Sequence, residues 1–320
     1  MRNKLKLAGA IVVAGSLLAA CSGTGKDDAT DDKAKDLTYA VITHSSSGDA
    51  FWDRVKSGAE KAGDDYNVNV EYSSDPDPAK QSQLIDGAVA DKVDGIVVSM
   101  ANPDGLEASI KAAVAAGVPV VTINSGVDKF KEFGAITHIG QTETIAGEAV
   151  GERLKGEGLK NGVCVIQEAG NIGLEERCKA VANTFGGTMT NLQVDGTDDS
   201  AVQATITSKL QAEKDIDVVL TLGGQYAIDA VGSVEESGSS AKIATFDLSE
   251  DVIKDIQSDK ILFAVDQQPY VQGFLGVTTL YLKDINGNDV GGGQPINSGP
   301  AFITKDNADA VLEFAANGTR

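Results

Sequence analysis

The chain has 320 residues, with 27 Lys and Arg against 47 Asp and Glu, giving a formal net charge of −20. At about 100–200 residues per domain this length suits two domains, and 42% apolar residues supply their cores. Such acidity argues against nucleic acid, whose phosphates repel carboxylates, and two histidines with three cysteines leave little for a His/Cys zinc cluster.

Residues 1–7 carry Arg2, Lys4 and Lys6, and residues 8–20 are small and apolar, the form of a secretory signal too short to span as a stable anchor. That core ends Leu18-Ala19-Ala20-Cys21, which resembles the lipobox of bacterial lipoproteins. The likeness implies a signal peptide over 1–20 and an acylated Cys21 opening the mature chain; the plainer alternative is an ordinary signal with a chance cysteine. Residues 22–36 hold no large apolar side chain, so 21–36 reads as a lipidated cysteine and flexible tether. Removing residues 1–20 takes away three positive charges and leaves −23.

From residue 37 short β-rich runs alternate with amphipathic stretches. Strands are expected at Leu37–Thr43, Asn67–Tyr72, Gly95–Ser99, Val118–Ile123 and Ala135–Ile139, with helices at Phe51–Tyr66, Ala79–Lys92 and Leu106–Ala116. The pattern then restarts. Helices are expected at Thr142–Leu154, Gly173–Thr184, Ser200–Glu213, Tyr226–Ser237, Glu250–Ser258 and Tyr270–Leu282. Strands are expected at Gly162–Gln167, Leu192–Val194, Val218–Leu222, Lys242–Phe246 and Leu262–Asp266. Residues 286–299 are turn-rich and Ala301–Thr304 is a closing strand. Repeated βα units imply an α/β fold of two Rossmann-like halves, each a parallel sheet with helices on both faces.

No catalytic constellation stands out. The Gly-rich segments match neither G-x-x-x-x-G-K-[ST] nor G-x-G-x-x-G, and no G-x-S-x-G elbow is present. No cofactor, metal or enzymatic activity is therefore expected. Cys164 and Cys178, with 13 residues between them, lie on the second half's first strand and its following helix. An oxidising compartment permits a disulfide there, worth about 3 kcal/mol by loop entropy; two free thiols are the alternative.

In open α/β sheets ligands bind beyond the carboxyl ends of the strands. The residues there are His44 to Trp52, Asn124-Ser125, Glu168 to Asn171, Gly223 to Gln225, Asp247 to Ser249, and Gln267-Gln268. Planar carboxylates and amides take hydroxyl hydrogen bonds, while an aromatic face covers the C–H face of a sugar ring. Each residue alone is explained by turn and cap chemistry; the set points to a sugar or polyol. Of Phe51 and Trp52, one is expected in the core.

These residues carry a family resemblance. GDAFWDRVKSGAEKA (48–62), DGIVVS (94–99), AAGVPVVTINS (115–125), HIGQTETIAGE (138–148), TFDLSEDV (245–252) and FAVDQQPYVQG (263–273) resemble the type I periplasmic binding proteins of ABC sugar importers, in the ribose/galactose-binding group. The likeness spans nearly all of 37–305. It implies a three-crossing hinge, with one lobe at 37–140 plus 268–297 and the other at 141–267 plus 298–320. It implies ligand contacts from His44, Ser45, Asp49, Phe51, Trp52, Asn124, Asn171, Arg177, Asp247 and Gln267. GNIGLEERC (170–178) resembles a subgroup with cysteines at both positions, which favours the Cys164–Cys178 bridge. Departures from the ribose pattern, with Asn124 for an acid and Ser125 and Glu175 for arginines, suit a hexose, a polyol or an inositol instead. The implied function is a monomeric extracytoplasmic lipoprotein, lipid-anchored to the outer face of the cytoplasmic membrane, that delivers a sugar to an ABC permease. The alternative is a sensor presenting a sugar or autoinducer-2 to a receptor.

Overall fold

The computed structural model describes residues 36–46 and 48–320. The signal sequence, Cys21 and most of the tether lie outside the described residues.

The first half runs β1 (Thr38–Thr43), α1 (Ala50–Tyr66), β2 (Asn69–Ser74), α2 (Pro78–Ala90), β3 (Gly95–Ser99), α3 (Pro103–Ala115), β4 (Val120–Ile123), α4 (Phe130–Phe133) and β5 (His138–Gly140). The second runs α5 (Glu143–Gly156), β6 (Asn161–Ile166), α6 (Ile172–Phe185), β7 (Thr188–Gln193), α7 (Asp199–Ala212), β8 (Val218–Thr221), α8 (Gly224–Ser237), β9 (Lys242–Phe246), α9 (Glu250–Gln257) and β10 (Ala264–Asp266). The chain closes with α10 (Pro269–Asn286), β11 (Ile296–Asn297), β12 (Ala301–Ile303) and α11 (Leu312–Ala316).

The described strands form two sheets, ordered β11-β5-β4-β3-β1-β2 and β12-β10-β9-β8-β6-β7. The second repeats the first strand for strand. Every pair is parallel except β10 with the closing strand β12, which runs antiparallel. β1, β3 and β4 are Val- and Ile-rich and buried along almost their whole length, as strands covered on both faces must be. Ile42, Ile96, Leu106 and Ile110 pack on one face of the first sheet, and Tyr39, Val41, Val97 and Val277 on the other. The second sheet has two matching apolar layers, around Val219 and Ile243 on one side and Leu220 and Phe246 on the other.

Most helices start on a capping side chain. Asp49, Asp77, Asn102, Asn171, Asp198 and Ser249 each accept a hydrogen bond from a backbone N–H in the first turn of the helix that follows. Late in the chain, α10 returns to pack on α1 of the first lobe. The two backbones meet at Gly58, against the Tyr270 carbonyl, and at Gly273, against the Val55 carbonyl, where a side chain would have no room.

The chain passes between the sheets three times: after β5, after β10, and between β11 and β12. These crossings are tied together. Ser298 N donates to Gly140 O at 2.8 Å, Ser298 Oγ donates to Gln267 O at 2.7 Å, and Gln268 Nε2 donates to Ser298 O at 2.6 Å.

Departures from the sequence reading are local. The edge strand β7 begins at Thr188 rather than Leu192, because its polar, exposed start (TMTNLQ) shows no alternation of apolar residues. β5 begins at His138 rather than Ala135, after the short helix α4 that the sequence reading left out. A two-residue strand, β11, sits inside the stretch read as turns. Cys164 and Cys178 form a disulfide joining β6 to α6.

Candidate functional site

The carboxyl ends of both sheets face one another across a cleft. The lobes meet there: Ile172 N donates to Ala101 O at 3.1 Å, and Arg54 Nε on α1 donates to Arg320 O at 2.7 Å. Ser125 Oγ lies beside Gly173, at the start of α6.

The first lobe presents His44, Ser45, Asp49, Phe51 and Asn124. His44 follows β1 and is buried. Its Nδ1 lies 2.7 Å from Ser99 Oγ, and burial pushes its pKa down to about 3, so the ring is neutral. Ser45 is buried, with its Oγ turned to Ser46 O. Asp49 caps α1 through Phe51 N, at 2.9 Å. Burial raises its pKa, against the pull of the helix N–H groups, and the Glu168 charge adds to the rise. Phe51 is half-buried, whereas Trp52 is 5% exposed and belongs to the apolar layer with Val55 and Val97. The Trp52 ring meets the rings of His44 and Phe51 edge-on. Trp52 is thus the core member of the pair and Phe51 the accessible one. Asn124 follows β4 and accepts from Ser125 Oγ at 2.8 Å.

The second lobe presents a connected polar chain. Glu143, in the first turn of α5, receives Arg177 Nε at 2.6 Å and Arg177 Nη2 at 2.8 Å. Arg177 Nη2 also donates to Gln267 Oε1 at 3.1 Å, and Gln267 Nε2 donates to Asp247 Oδ1 at 2.7 Å. The Arg177 guanidinium lies over the Phe246 ring, 4.3 Å from its centre. Burial opposes the Arg177 charge, but Glu143 outweighs it and holds the guanidinium ionised. Arg177 Nη1 is buried and has no hydrogen-bond partner among the described residues. Asp247 is pushed up to about 7, chiefly by burial, with Arg177 and Gln267 pulling the other way.

Asn124 and Asp247 occupy matching places, each just past the fourth βαβ strand of its lobe, and both have left-handed backbones with φ of 63° and 68°. Asn and Asp tolerate that conformation better than other side-chain-bearing residues. The duplicated kink therefore sets one amide and one carboxylate at the carboxyl ends of matching strands in the two lobes.

Asn171 is buried and largely committed. Its Oδ1 accepts from Gly173 N and Leu174 N, and its Nδ2 donates to Glu168 Oε2 at 2.8 Å. Glu168 and Glu143 are the residues missing from the sequence-derived site. Glu168 was visible as a strand-end carboxylate; Glu143 carries no signal, since its partner lies 34 residues away. Among the described residues no three His, Cys, Asp or Glu side chains are grouped to hold a metal ion. A separate surface hollow, lined by Val93, Asp94, Pro119 and Asp284, opens at the amino ends of the first sheet's strands, away from the cleft.

A family model described as a periplasmic binding protein domain matches residues 39–287. Among solved structures, a carbohydrate transporter from Acidothermus cellulolyticus 11B in complex with myo-inositol is 47% identical, with a TM-score of 0.88, covering 89% of this chain and 99% of that one. Among curated proteins, the xylose/arabinose-binding protein XylF of Sulfolobus acidocaldarius is 25% identical over 78% of this chain and 66% of its own length. The ribose import binding protein RbsB of Haemophilus influenzae is 26% identical over 72% of this chain and 80% of its own. These relatives are binding proteins, not enzymes. The chain belongs to the periplasmic binding protein family, as a type I member of the kind that serves sugar ABC importers.

Proposed function

We propose that this protein is an extracytoplasmic lipoprotein, anchored through Cys21 and the tether to 36, that captures a cyclic polyol and delivers it to an ABC permease. The lobes 37–140 with 268–297 and 141–267 with 298–320 close on the ligand as a monomer. A cyclitol such as myo-inositol is the first candidate. The observation that carries this reading is the polar chain Glu143–Arg177–Gln267–Asp247, which ends on a strand-end carboxylate close enough to Asp49 of the other lobe to feel its charge. Hydroxyls of a polyol donate to Asp247 and Asp49 and accept from Arg177 Nη1, while Phe51 covers the C–H face of the ring. The 47% identity to a protein crystallised with myo-inositol supports the same class.

The test is a thermal-shift screen of residues 37–320 against cyclitols, hexoses, pentoses and acyclic polyols. A ligand at 100-fold excess over Kd adds about 2.7 kcal/mol to the native state. A shift with myo-inositol or its stereoisomers is expected; a flat response to every polyol refutes the reading.

A further inference from the structure

His44 and Glu168 come from different lobes and stand opposite each other across the cleft, with His44 Nε2 4.0 Å from Glu168 Oε2. That is too long for a hydrogen bond. The atoms around the two groups fix what each can do. Ser99 Oγ is buried and already accepts from the His44 backbone N–H at 3.0 Å. The Ser99 hydroxyl proton has no other acceptor among the described residues than His44 Nδ1, 2.7 Å away, which selects the tautomer whose Nδ1 accepts. The imidazole proton therefore sits on Nε2 and points toward Glu168. On the other side, Asn171 is locked as the cap of α6, so its amide nitrogen faces Glu168 and presents the carboxylate as a pure acceptor. The Glu168 side chain keeps 35% exposure, so a ligand reaches it.

A hydroxyl oxygen about 2.8 Å from both atoms fits over this gap, with its two hydrogen bonds at about a right angle. Resting on the polyol reading above, we infer that His44 and Glu168 together read one ligand hydroxyl, which accepts from His44 Nε2–H and donates to Glu168. A fluorine, an ether or a carbonyl at that ring position accepts but cannot donate. An ammonium donates but cannot accept. Only a free hydroxyl satisfies both partners, so the pair sets specificity at one position of the ring. Because the partners belong to different lobes, the contact is complete only when the lobes meet.

Calorimetric titration of wild type, Glu168→Ala and His44→Gln with myo-inositol and its monodeoxy and mono-O-methyl derivatives tests this. In wild type, removing or methylating one particular hydroxyl is expected to weaken binding about 10- to 100-fold. Glu168→Ala is expected to lose a similar factor for the parent cyclitol and almost nothing further for that one deoxy derivative, while the other derivatives keep their usual penalties. Glu168→Ala also takes an acceptor from buried Asn171 Nδ2, so its melt without ligand is measured beside wild type to keep the assay clear of misfolding. Parent affinity unchanged in Glu168→Ala, or a uniform loss across all derivatives, overturns the inference and leaves the polyol reading standing. Wild type that binds no cyclitol, hexose, pentose or acyclic polyol overturns both.

Discussion

Replacing Arg177 by Ala exposes how the second lobe is held. Arg177 and Glu143 are each 3% exposed and joined by two charged hydrogen bonds. Removing the guanidinium leaves Glu143 buried, with Gln141 Nε2, at 3.1 Å, as its remaining side-chain hydrogen-bond donor among the described residues. It also strips the Phe246 ring of its cation and leaves Gln267 Oε1 without a donor. Breaking one side of a buried ion pair costs about 3–5 kcal/mol, mostly because the other charge is stranded. At about 2–4 °C per kcal/mol, the melting temperature of the unliganded protein should fall by about 6–20 °C. Arg177→Lys keeps the charge without the two-pronged fork and should fall in between. The double change Glu143→Met with Arg177→Met removes both charges and should recover most of the loss. Calorimetry with urea titration as a second measure is the assay. An Arg177→Ala protein within 1 kcal/mol of wild type, or a double variant no better than the single, refutes the reasoning.

Gly273→Ala drives a methyl into the Val55 carbonyl at the α1–α10 contact and should cost about 1–3 kcal/mol or more, measured by urea unfolding; a neutral result means the helices can separate. Trp52→Ala should lower stability by about 3–5 kcal/mol, whereas Phe51→Ala should weaken cyclitol binding and leave the melt nearly unchanged; the reverse pattern would exchange their roles. Burial holds His44 at about 3 and His138 at about 4. The unfolded chain takes up protons near 6.5 that these rings refuse, so stability falls as pH drops below that point, by up to about 1.4 kcal/mol per unit and ring. Imidazole NMR signals should stay neutral to below pH 5, and a midpoint near 6.5 contradicts this. Asp247 has the opposite sign. Its folded pKa of about 7 lies above the unfolded value, so its contribution is present at low pH and lost as pH rises through 7. Asp247→Asn should therefore melt higher than wild type at pH 8 without ligand, yet bind cyclitol more weakly; a lower melt at pH 8 goes against it.

What the sequence made legible was set by local rules. Val- and Ile-rich runs such as GIVVS had to be covered strands, and Asn124 and Asp247 stood out because each follows one. The edge strand β7 reads short in the sequence because its solvent-facing side removes the apolar signal. β11 leaves no trace in the sequence because two residues carry no period. The choice between Phe51 and Trp52 needed the packing of β1 and β3 around the indole. Glu143 was invisible for a different reason. Its role comes from the docking of α5 against α6, and an isolated Glu in a helix's first turn already has a sufficient explanation in the helix dipole.

The crossings and the candidate site share residues, which bears on how binding under the proposed function would be transmitted. Gln267 lies in the second crossing. Its backbone carbonyl accepts from Ser298 Oγ of the third crossing, while its side chain links Arg177 to Asp247. Gln141, in the first crossing, donates to Glu143, the other partner of Arg177. All three crossings therefore reach the cleft carboxylate through at most a few hydrogen bonds. On the proposed polyol function, a ligand hydroxyl donating to Asp247 would favour its ionised form, strengthening the bond from Gln267 and the attraction of Arg177. The backbone carbonyl of the same Gln267 holds Ser298 through one of the bonds that tie the crossings together. A ligand that makes them only when the lobes meet shifts the open–closed balance by that difference in affinity and no more.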